Sequence, residues 1–485
     1  MEKVNIGVIG LGQRGKSLLD TMLALEDAHV GAVCDVYADR RAEAAEKVEK
    51  ACGEKPAVYE DYRDLLGDPS LDAVLITAGW EEHIKMAIDS MNAGKITAME
   101  VGGAYSIAEC WELVRTYERT GTPVMMMENC CYDRFELLAT AMARAGKFGE
   151  IVHCHGAYSH DLRDEVMGGH VNRHYRLNNY MRRNCENYPT HELGPIAKLL
   201  NINRGNRMLS LVSVASKAAG LKAFAKSDKN PDKSLIGCEF AQGDIVETII
   251  KCAGGETISL KLDTTLPKYY SREFTVRGTK GLANQELDMI LLEGEQDFHE
   301  FFEPALFTKK YLGNAAGYEK DFLPALWKDI TPEEKELGHG GMDYLMFREF
   351  FRAVKRGEEL PVDVYDAAAW MSISALSECS IARGGAPVDI PDFTDGAWGS
   401  GFRTPFSRKK NISEFRRGED IMRKCVRCEC DMIENYDVKV EGGANGLKIT
   451  KRGLFRGNLG KVRVAVCPEC GYLEFYLEDT SKIGE

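Results

Sequence analysis

The sequence has no apolar run of the ~18 residues that a membrane-crossing helix needs. Its start, MEKVNIGVIGLG, has neither a hydrophobic leader core nor a small-residue cleavage site. Secretion by the usual signal and a place in the bilayer are therefore not expected, and a cytoplasmic location is. Excess positive charge is also lacking: 62 Lys and Arg stand against 75 Asp and Glu, a net −13. Nucleic acid is accordingly not expected as the main partner, because binding phosphates needs a basic field. There is no internal repeat and no low-complexity tract. With 44% hydrophobic and 28% charged residues the chain is globular, and 485 residues suggest roughly three domains.

Cysteine is plentiful and unevenly placed. Of 15 cysteines, five (Cys425, Cys428, Cys430, Cys467, Cys470) fall in the last 61 residues, and ten are scattered or form the Cys130–Cys131 pair. Without a signal peptide they read as reduced thiols or metal ligands, not disulfides.

The first 125 residues alternate strand-like runs (VNIGVIG, AHVGAVCD, DAVLITAG) with amphipathic helical stretches. That alternation predicts a parallel, doubly wound α/β sheet over 1–125. From about Ile151 strands dominate, as in EIVHCHGAYSH, MLSLVSVASK and DIVETIIKCAGGETISLKLDTTL. A second, α+β domain with a large, open, mostly antiparallel sheet is expected over 126–403. Apolar residues at Met342, Leu345, Met346, Phe350, Phe351 and Val354, with Gly357 as stop, predict a helix over Met342–Arg356. A second helix is expected in DVYDAAAWMSISALSECSIA, and Thr404–Asp420 reads as a polar linker.

Gly10-Leu11-Gly12-Gln13-Arg14-Gly15 is G-x-G-x-x-G between a strand and a helix. Gly10 permits the tight turn, Gly12 lets a pyrophosphate approach the backbone, and Gly15 allows close helix–strand packing. Asp35 ends the second strand, 20 residues after Gly15. A carboxylate there accepts from ribose hydroxyls and repels a 2′-phosphate, which favours NAD over NADP.

The stretch LITAGWEEHIKMAIDSMNAGKITAMEVGG resembles the Gfo/Idh/MocA family of NAD(P)-dependent proteins, but Glu100-Val101-Gly102 replaces that family's Glu-Lys-Pro and removes its catalytic Lys. The pattern is closest to glycoside hydrolase family 109, NAD-dependent glycosidases typified by α-N-acetylgalactosaminidase. The likeness runs over about residues 1–400: Trp80-Glu81-Glu82-His83, Glu100-Val101, Glu128-Asn129, Tyr188-Pro189-Thr190-His191, TTLPKYYSR, Gly338 to Asp343 (GHGGMD) and DVYDAAAW. The resemblance implies nucleotide contacts from Gln13, Arg14, Asp35, Trp80 to His83, Glu100, Val101 and Asn129. It implies a substrate pocket of Tyr158, Arg176, Tyr188, His191 and Tyr270. Two departures stand out: Glu192 replaces the Gly that usually follows the motif His, and Gly102-Gly103 replace Pro-Ala. Glu192 is expected as an extra carboxylate beside the sugar.

The implied reaction is hydrolysis by transient oxidation at C3 of the sugar, abstraction of the acidified C2 proton, elimination of the aglycone, addition of water and re-reduction. It departs from the paired-carboxylate route of most glycosidases. A neutral imidazole suits the proton transfers near neutral pH. His191 and Tyr188, three residues apart, fit that need, with Tyr158 as a further proton-transfer candidate. Arg176 can fix sugar oxygens through its planar guanidinium. His153 and His155 share one strand face, but no acidic partner spacing accompanies them, so a solvated or sugar-facing strand end is expected.

Cys425-Val-Arg-Cys428 and Cys467-Pro-Glu-Cys470 can complete a tetrahedral Zn²⁺ site, with Cys430 able to replace Cys428. A zinc ribbon is therefore expected over 421–485. The tail from Gly401 carries 17 Lys and Arg against 13 Asp and Glu, so it is basic on an acidic protein. An oligomer-contact or lid role suits it better than DNA binding, and a homo-oligomer acting on a small-molecule glycoside is expected. Two other functions fit parts of the sequence. One is a net NAD-dependent sugar or polyol dehydrogenase of the same fold; the other is a sugar or nucleotide sensor whose zinc ribbon binds a partner.

Overall fold

The computed structural model describes residues 3–296 and 309–399, and in the tail only the backbone of four strands. The chain divides into two compact units, Met1–Lys410 and Asn411–Glu485.

The first unit opens with six strands: β1 (Val4–Ile9), β2 (Ala28–Cys34), β3 (Ala57–Tyr59), β4 (Ala73–Ile76), β5 (Ile96–Met99) and β6 (Val124–Met126). All pair in parallel, in the order β3-β2-β1-β4-β5-β6. Apart from the exposed edge strand β3, their near-continuous burial is what a sheet covered by helices on both faces requires. The order reverses between β1 and β4, and the crevice beyond their carboxyl ends is where such sheets bind ligands. Helix ends follow local chemistry. Ser106 and Glu109 form a reciprocal capping box at the start of the Ile107–Thr120 helix, and Gly121 closes it at φ +65°.

The second sheet has eight strands: β7 (Ile151–Ser159), β8 (Met208–Ala215), β9 (Ile245–Cys252), β10 (Thr257–Asp263), β11 (Thr275–Gly278), β12 (Gly281–Asn284), β13 (Met289–Leu292) and β14 (Val388–Asp389). They run in the order β13-β12-β11-β7-β10-β9-β8-β14, open at both edges. Every pairing is antiparallel except β7 with β10, so the sheet is mixed. Four short helices interrupt the strand-rich region directly after β7, including Arg176–Arg182 and Thr190–Leu199. Two of them carry Arg176 and His191, Tyr188 lies in the turn just before the last, and Tyr158 is on β7 itself.

The two expected C-terminal helices are present at Met342–Arg356 and Val364–Ala382. Asp363 caps the second, accepting from the N–H groups of Tyr365 and Asp366. This helix is buried almost throughout, and it packs on both the Ile107–Thr120 helix and β8. It thereby joins the two sheets in one core.

In the tail, β15 (Ile433–Asp437), β16 (Lys448–Thr450) and β18 (Leu473–Leu477) all pair antiparallel with β17 (Asn458–Val466). The expected zinc ligands Cys425, Cys428, Cys467 and Cys470, the spare Cys430 and the Thr404–Asp420 linker lie outside the described residues. Among the described residues no helix is long and apolar enough to cross a membrane.

Candidate active site

The glycine-rich turn does what its spacing predicts. Gly10 sits at φ +93°, and a Cβ there would lie 2.7 Å from Ala78 N. A Cβ on Gly15 would lie 2.1 Å from Gly10 O, so only glycine lets the Gln13–Leu23 helix start this close to β1. Gly12 has only the end of Arg40 nearby, at 3.6 Å, and no side chain caps the helix. Its first N–H groups therefore stay available to an anion.

That turn opens into a cavity of about 650 Å³ that runs from Gly10, Gly12, Gln13, Asp35 and Arg40 to Tyr158, Arg176, Tyr188 and His191. The cavity joins a dinucleotide-type turn to a polar, aromatic end, and no side chain fills the space over Gly12. These residues fit NAD. Asp35 is held ready, accepting from Leu11 N at 2.7 Å and Tyr37 N at 2.9 Å. Arg40 lies 3.7 Å from the Asp35 carboxylate, a cation at the ribose end that the motif alone does not reveal.

The structure brings most of the expected nucleotide residues to this cavity and places Trp80, Glu81, Glu82 and Asn129 outside its lining. Gln13, Arg14, His83, Glu100 and Val101 line it. Arg14 is also an ion-pair hub, donating to Glu100 at 3.0 Å and to both Asp343 oxygens at 2.7 and 2.9 Å. Burial pushes the Glu100 carboxyl up, and the adjacent Arg14 opposes it. His83 is fully buried, bonded to Ala78 O at 2.8 Å, and burial lowers its pKa to about 4, so it stays neutral. Gly15 packs behind the turn.

Trp80 does not line the cavity; its ring packs on Tyr175 at 4.8 Å and Tyr188 at 5.1 Å. A Cβ on Gly102 would come within 2.7 Å of that indole, which gives Gly102 its physical reason. Glu81 and Glu82 are exposed outside the lining. Asn129 is buried away from the cavity and donates to Asp343 Oδ1 at 2.8 Å.

Tyr158, Arg176, Tyr188 and His191 meet in one cluster. Tyr188 lies 4.4 Å from Tyr158 and 4.7 Å from His191, ring to ring. Arg176 Nη2 donates to Tyr158 Oη at 3.4 Å, and its Nε pairs with Glu165 at 3.0 Å. Burial raises the pKa of both tyrosines. Arg176 opposes the rise at both, through a hydrogen bond as well at Tyr158, while Tyr158 and Glu100 add to it at Tyr188. Tyr270 does not join them: it lies outside the cavity, half exposed, with its hydroxyl accepting from Arg272 at 3.1 Å.

Three residues of the site were not singled out by sequence. Glu128 is fully buried, and its Oε1 lies 2.7 Å from His191 Nδ1. Burial pushes its carboxyl up, but His191 and its hydrogen bonds outweigh this and leave it below the usual range. With Nδ1 engaged, His191 Nε2 is the free ring nitrogen. A second dyad faces the same cavity: His339 Nδ1 lies 2.8 Å from the buried Asp343 Oδ2. His339 stands at φ +46° in a run with Gly338, Gly340 and Gly341, all at positive φ. A histidine flanked by glycines was the signal, because such a run marks backbone that only glycine adopts freely.

Glu128, Cys130 and His191 offer ligand atoms within 4.8 Å of one another, among the described residues the one such group. The 2.7 Å between Glu128 and His191 is a hydrogen-bond distance, shorter than the about 3.3 Å that two ligands of a tetrahedral metal keep. The group reads as a dyad. His153 and His155 bond instead to Thr257 at 2.9 Å and Ser259 at 2.8 Å. Glu192 does not line the cavity: it is buried behind β7.

Fold and site together define an NAD-binding protein of the Gfo/Idh/MocA type. Residues 4–128 match the oxidoreductase family with NAD-binding Rossmann fold, and residues 132–400 match the glycosyl hydrolase 109 C-terminal domain. An alpha-N-acetylgalactosaminidase of Tannerella forsythia is 36% identical over 418 residues, covering 81% of this chain and 87% of its own. An alpha-N-acetylgalactosaminidase of Shewanella oneidensis is 38% identical over 404 residues, covering 82% and 86%. The chain belongs to glycosyl hydrolase family 109 and is an NAD-dependent glycosidase. Among solved structures, levoglucosan dehydrogenase with NADH superposes at a TM-score of 0.58 with 19% identity, covering 80% of this chain and all of that one. An NAD binding oxidoreductase from Klebsiella pneumoniae gives 0.58 with 18% identity over 81% of this chain and 100% of that one. These likenesses show the fold.

Proposed function

We propose that the protein hydrolyses α-linked N-acetylgalactosaminides by the oxidation–elimination–hydration–reduction route. The names of the 36% and 38% identical relatives support the substrate. One observation carries the mechanism: two histidine–carboxylate dyads, His191–Glu128 and His339–Asp343, open into a single cavity that starts at the dinucleotide turn.

NAD, when bound, supplies a two-electron acceptor for the C3 carbinol and returns the electrons later in the cycle. His191 Nε2 takes the proton of the C3 hydroxyl, and Glu128 stabilises the imidazolium that results. Tyr158 is the better placed tyrosine to take the C2 proton, since the Arg176 guanidinium at its hydroxyl offsets part of the burial that disfavours its phenolate. Tyr188 serves as an aromatic wall. His339, oriented by Asp343, hands a proton to the departing glycosidic oxygen and takes one from the incoming water. Val101, where the dehydrogenase pattern has Lys, leaves these groups as the acid–base set.

Hydrolysis of 4-nitrophenyl α-N-acetylgalactosaminide in D₂O tests this. Released sugar should carry deuterium at C2, with no NADH accumulating. Hydrolysis without exchange would exclude the route, and NADH formed in proportion to product would make the protein a net dehydrogenase.

We infer further that the tail holds one Zn²⁺ through Cys425, Cys428, Cys467 and Cys470, supported by the two C-x-x-C pairs. Metal analysis should find about one zinc per chain; a metal-free tail resistant to proteolysis would refute it. A reducing, cytoplasmic setting goes with the ten free cysteines of the first unit.

A further inference from the structure

Behind the catalytic turn lies a pair of acids that the reaction does not use. Glu186 stands two residues before Tyr188, and Glu192 directly follows His191 at the start of the Thr190–Leu199 helix. Both are buried, at 0% and 1% exposure; three of their four carboxyl oxygens meet no donor, and each carboxyl is close enough to the other to raise or lower its proton affinity. Two adjacent carboxyls in a dry site with no cation beside them cannot both ionise, so a proton stays between them. Among the described residues the donor that reaches the pair is a backbone N–H, that of Lys261, 2.9 Å from Glu192 Oε2. Among the described residues no Lys, Arg or His side chain donates to either acid, and Glu186 Oε1 and Oε2 and Glu192 Oε1 have no donor.

The surrounding charges are engaged elsewhere. On the sheet side, Glu247 on β9 adds a further carboxylate. Lys261 on β10 turns its ammonium to Glu273, which also binds His155 of β7. On the helix side, His191 is bound to Glu128, and Glu136 to Arg272. On the Val364–Ala382 helix, Asp366 is taken by Lys198 and Arg204, and Glu378 by Arg183. Tyr158 faces Arg176. A Cβ on Gly156 would lie 2.6 Å from Glu192 O, so the start of this helix sits against β7 with little slack.

We propose that Glu186 and Glu192 are positioning residues, a carboxyl–carboxylate pair whose shared proton holds the Tyr188–His191 turn in its working geometry. The catalytic part rests on the reading of Tyr188 and His191 given above. While the proton is present, one hydrogen bond closes the loop from residue 186 to residue 192. When it leaves, two adjacent anions without a counter-cation repel in a dry site, and the turn between them opens. Burial raises both carboxyls, Glu186 to about 8. The folded protein thus holds a proton that the unfolded chain releases near the usual carboxyl pKa of about 4.3. Stability must then fall as pH rises from that range to the folded value, and level off above it.

The full-length protein, with Glu192→Gln, Glu186→Gln and Glu192→Ala, tests this through two readouts: the thermal midpoint between pH 5 and 9, and kcat over the same range. In the wild type the midpoint should decline towards pH 8. Either Gln variant, which keeps a hydrogen bond but needs no titrating proton, should flatten that decline. It should also move the alkaline loss of kcat upward by about one pH unit, with KM little changed. Glu192→Ala should lose turnover across the range, and Gln at the same position should rescue it. Gln variants that keep the wild-type slope in both readouts would overturn the proposal. If the wild type cleaves no glycoside, the glycosidase reading fails while the midpoints still decide whether the pair shares its proton.

Discussion

Asn129 Nδ2 donates to Asp343 Oδ1 at 2.8 Å, while its chain neighbour Glu128 accepts from His191. Two consecutive residues of one short turn therefore orient both histidines of the site, one directly and one through Asp343. The sequence pattern presents Asn129 as a nucleotide contact; in the structure its side chain ties the turn that holds Glu128 to Asp343.

Replacing Asn129 by Leu should therefore act on turnover. A buried hydrogen bond to a charged group contributes about 1.5–3 kcal/mol, so kcat should fall by roughly 10- to 100-fold. NAD⁺ affinity, measured by calorimetry, should change little. A large loss of NAD⁺ binding with unchanged kcat would return Asn129 to the nucleotide.

His191→Ala should lower turnover by about 10²- to 10⁴-fold if its imidazole is the general base. Glu128→Gln keeps the volume but removes the charge that stabilises the imidazolium, so it should also cut kcat and leave KM nearly unchanged. Steady-state kinetics on the aryl glycoside would separate these outcomes. Full activity of Glu128→Gln would mean that the dyad is only structural.

Asp35 both awaits the ribose and braces Leu11 and Tyr37. Asp35→Ala should weaken NAD⁺ by removing charge-assisted bonds of about 1.5–3 kcal/mol each. It also frees Arg40, 3.7 Å away, to meet a 2′-phosphate. The NADP⁺/NAD⁺ preference in equilibrium binding should rise. A wild type that prefers NADP⁺ would contradict the role of Asp35.

Asp343 sets an acid limit. Burial alone would raise its carboxyl, but His339 and Arg14 win and hold it well below the usual carboxylate range. A depressed pKa stabilises the fold fully above the unfolded value of about 3.9 and loses that contribution as pH falls below it. Acid unfolding followed by circular dichroism should therefore flatten in Asp343→Asn, alongside a lower midpoint at neutral pH from the loosened Arg14. An unchanged acid limb would assign the acid sensitivity elsewhere.

The sequence by itself determined the parts governed by neighbours along the chain. Alternating runs specified the parallel sheet, and G-x-G-x-x-G followed by Asp35 specified the dinucleotide turn. The apolar spacing from Met342 to Val354, stopped at Gly357, gave the helix found at Met342–Arg356. These signals are local because backbone dihedrals and helix periodicity are local. Tertiary structure alone decided which polar groups meet. Glu128 reaches His191 across 63 residues, and Asn129 reaches Asp343 across 214. No periodicity encodes such pairs, since they depend on where two sheets and the buried Val364–Ala382 helix bring distant turns together. The same holds for Glu192. Its place after the motif histidine suggests a carboxylate at the sugar, yet one residue along a helix turns a side chain by about 100°. His191 therefore faces the cavity while Glu192 faces β7 and Glu186.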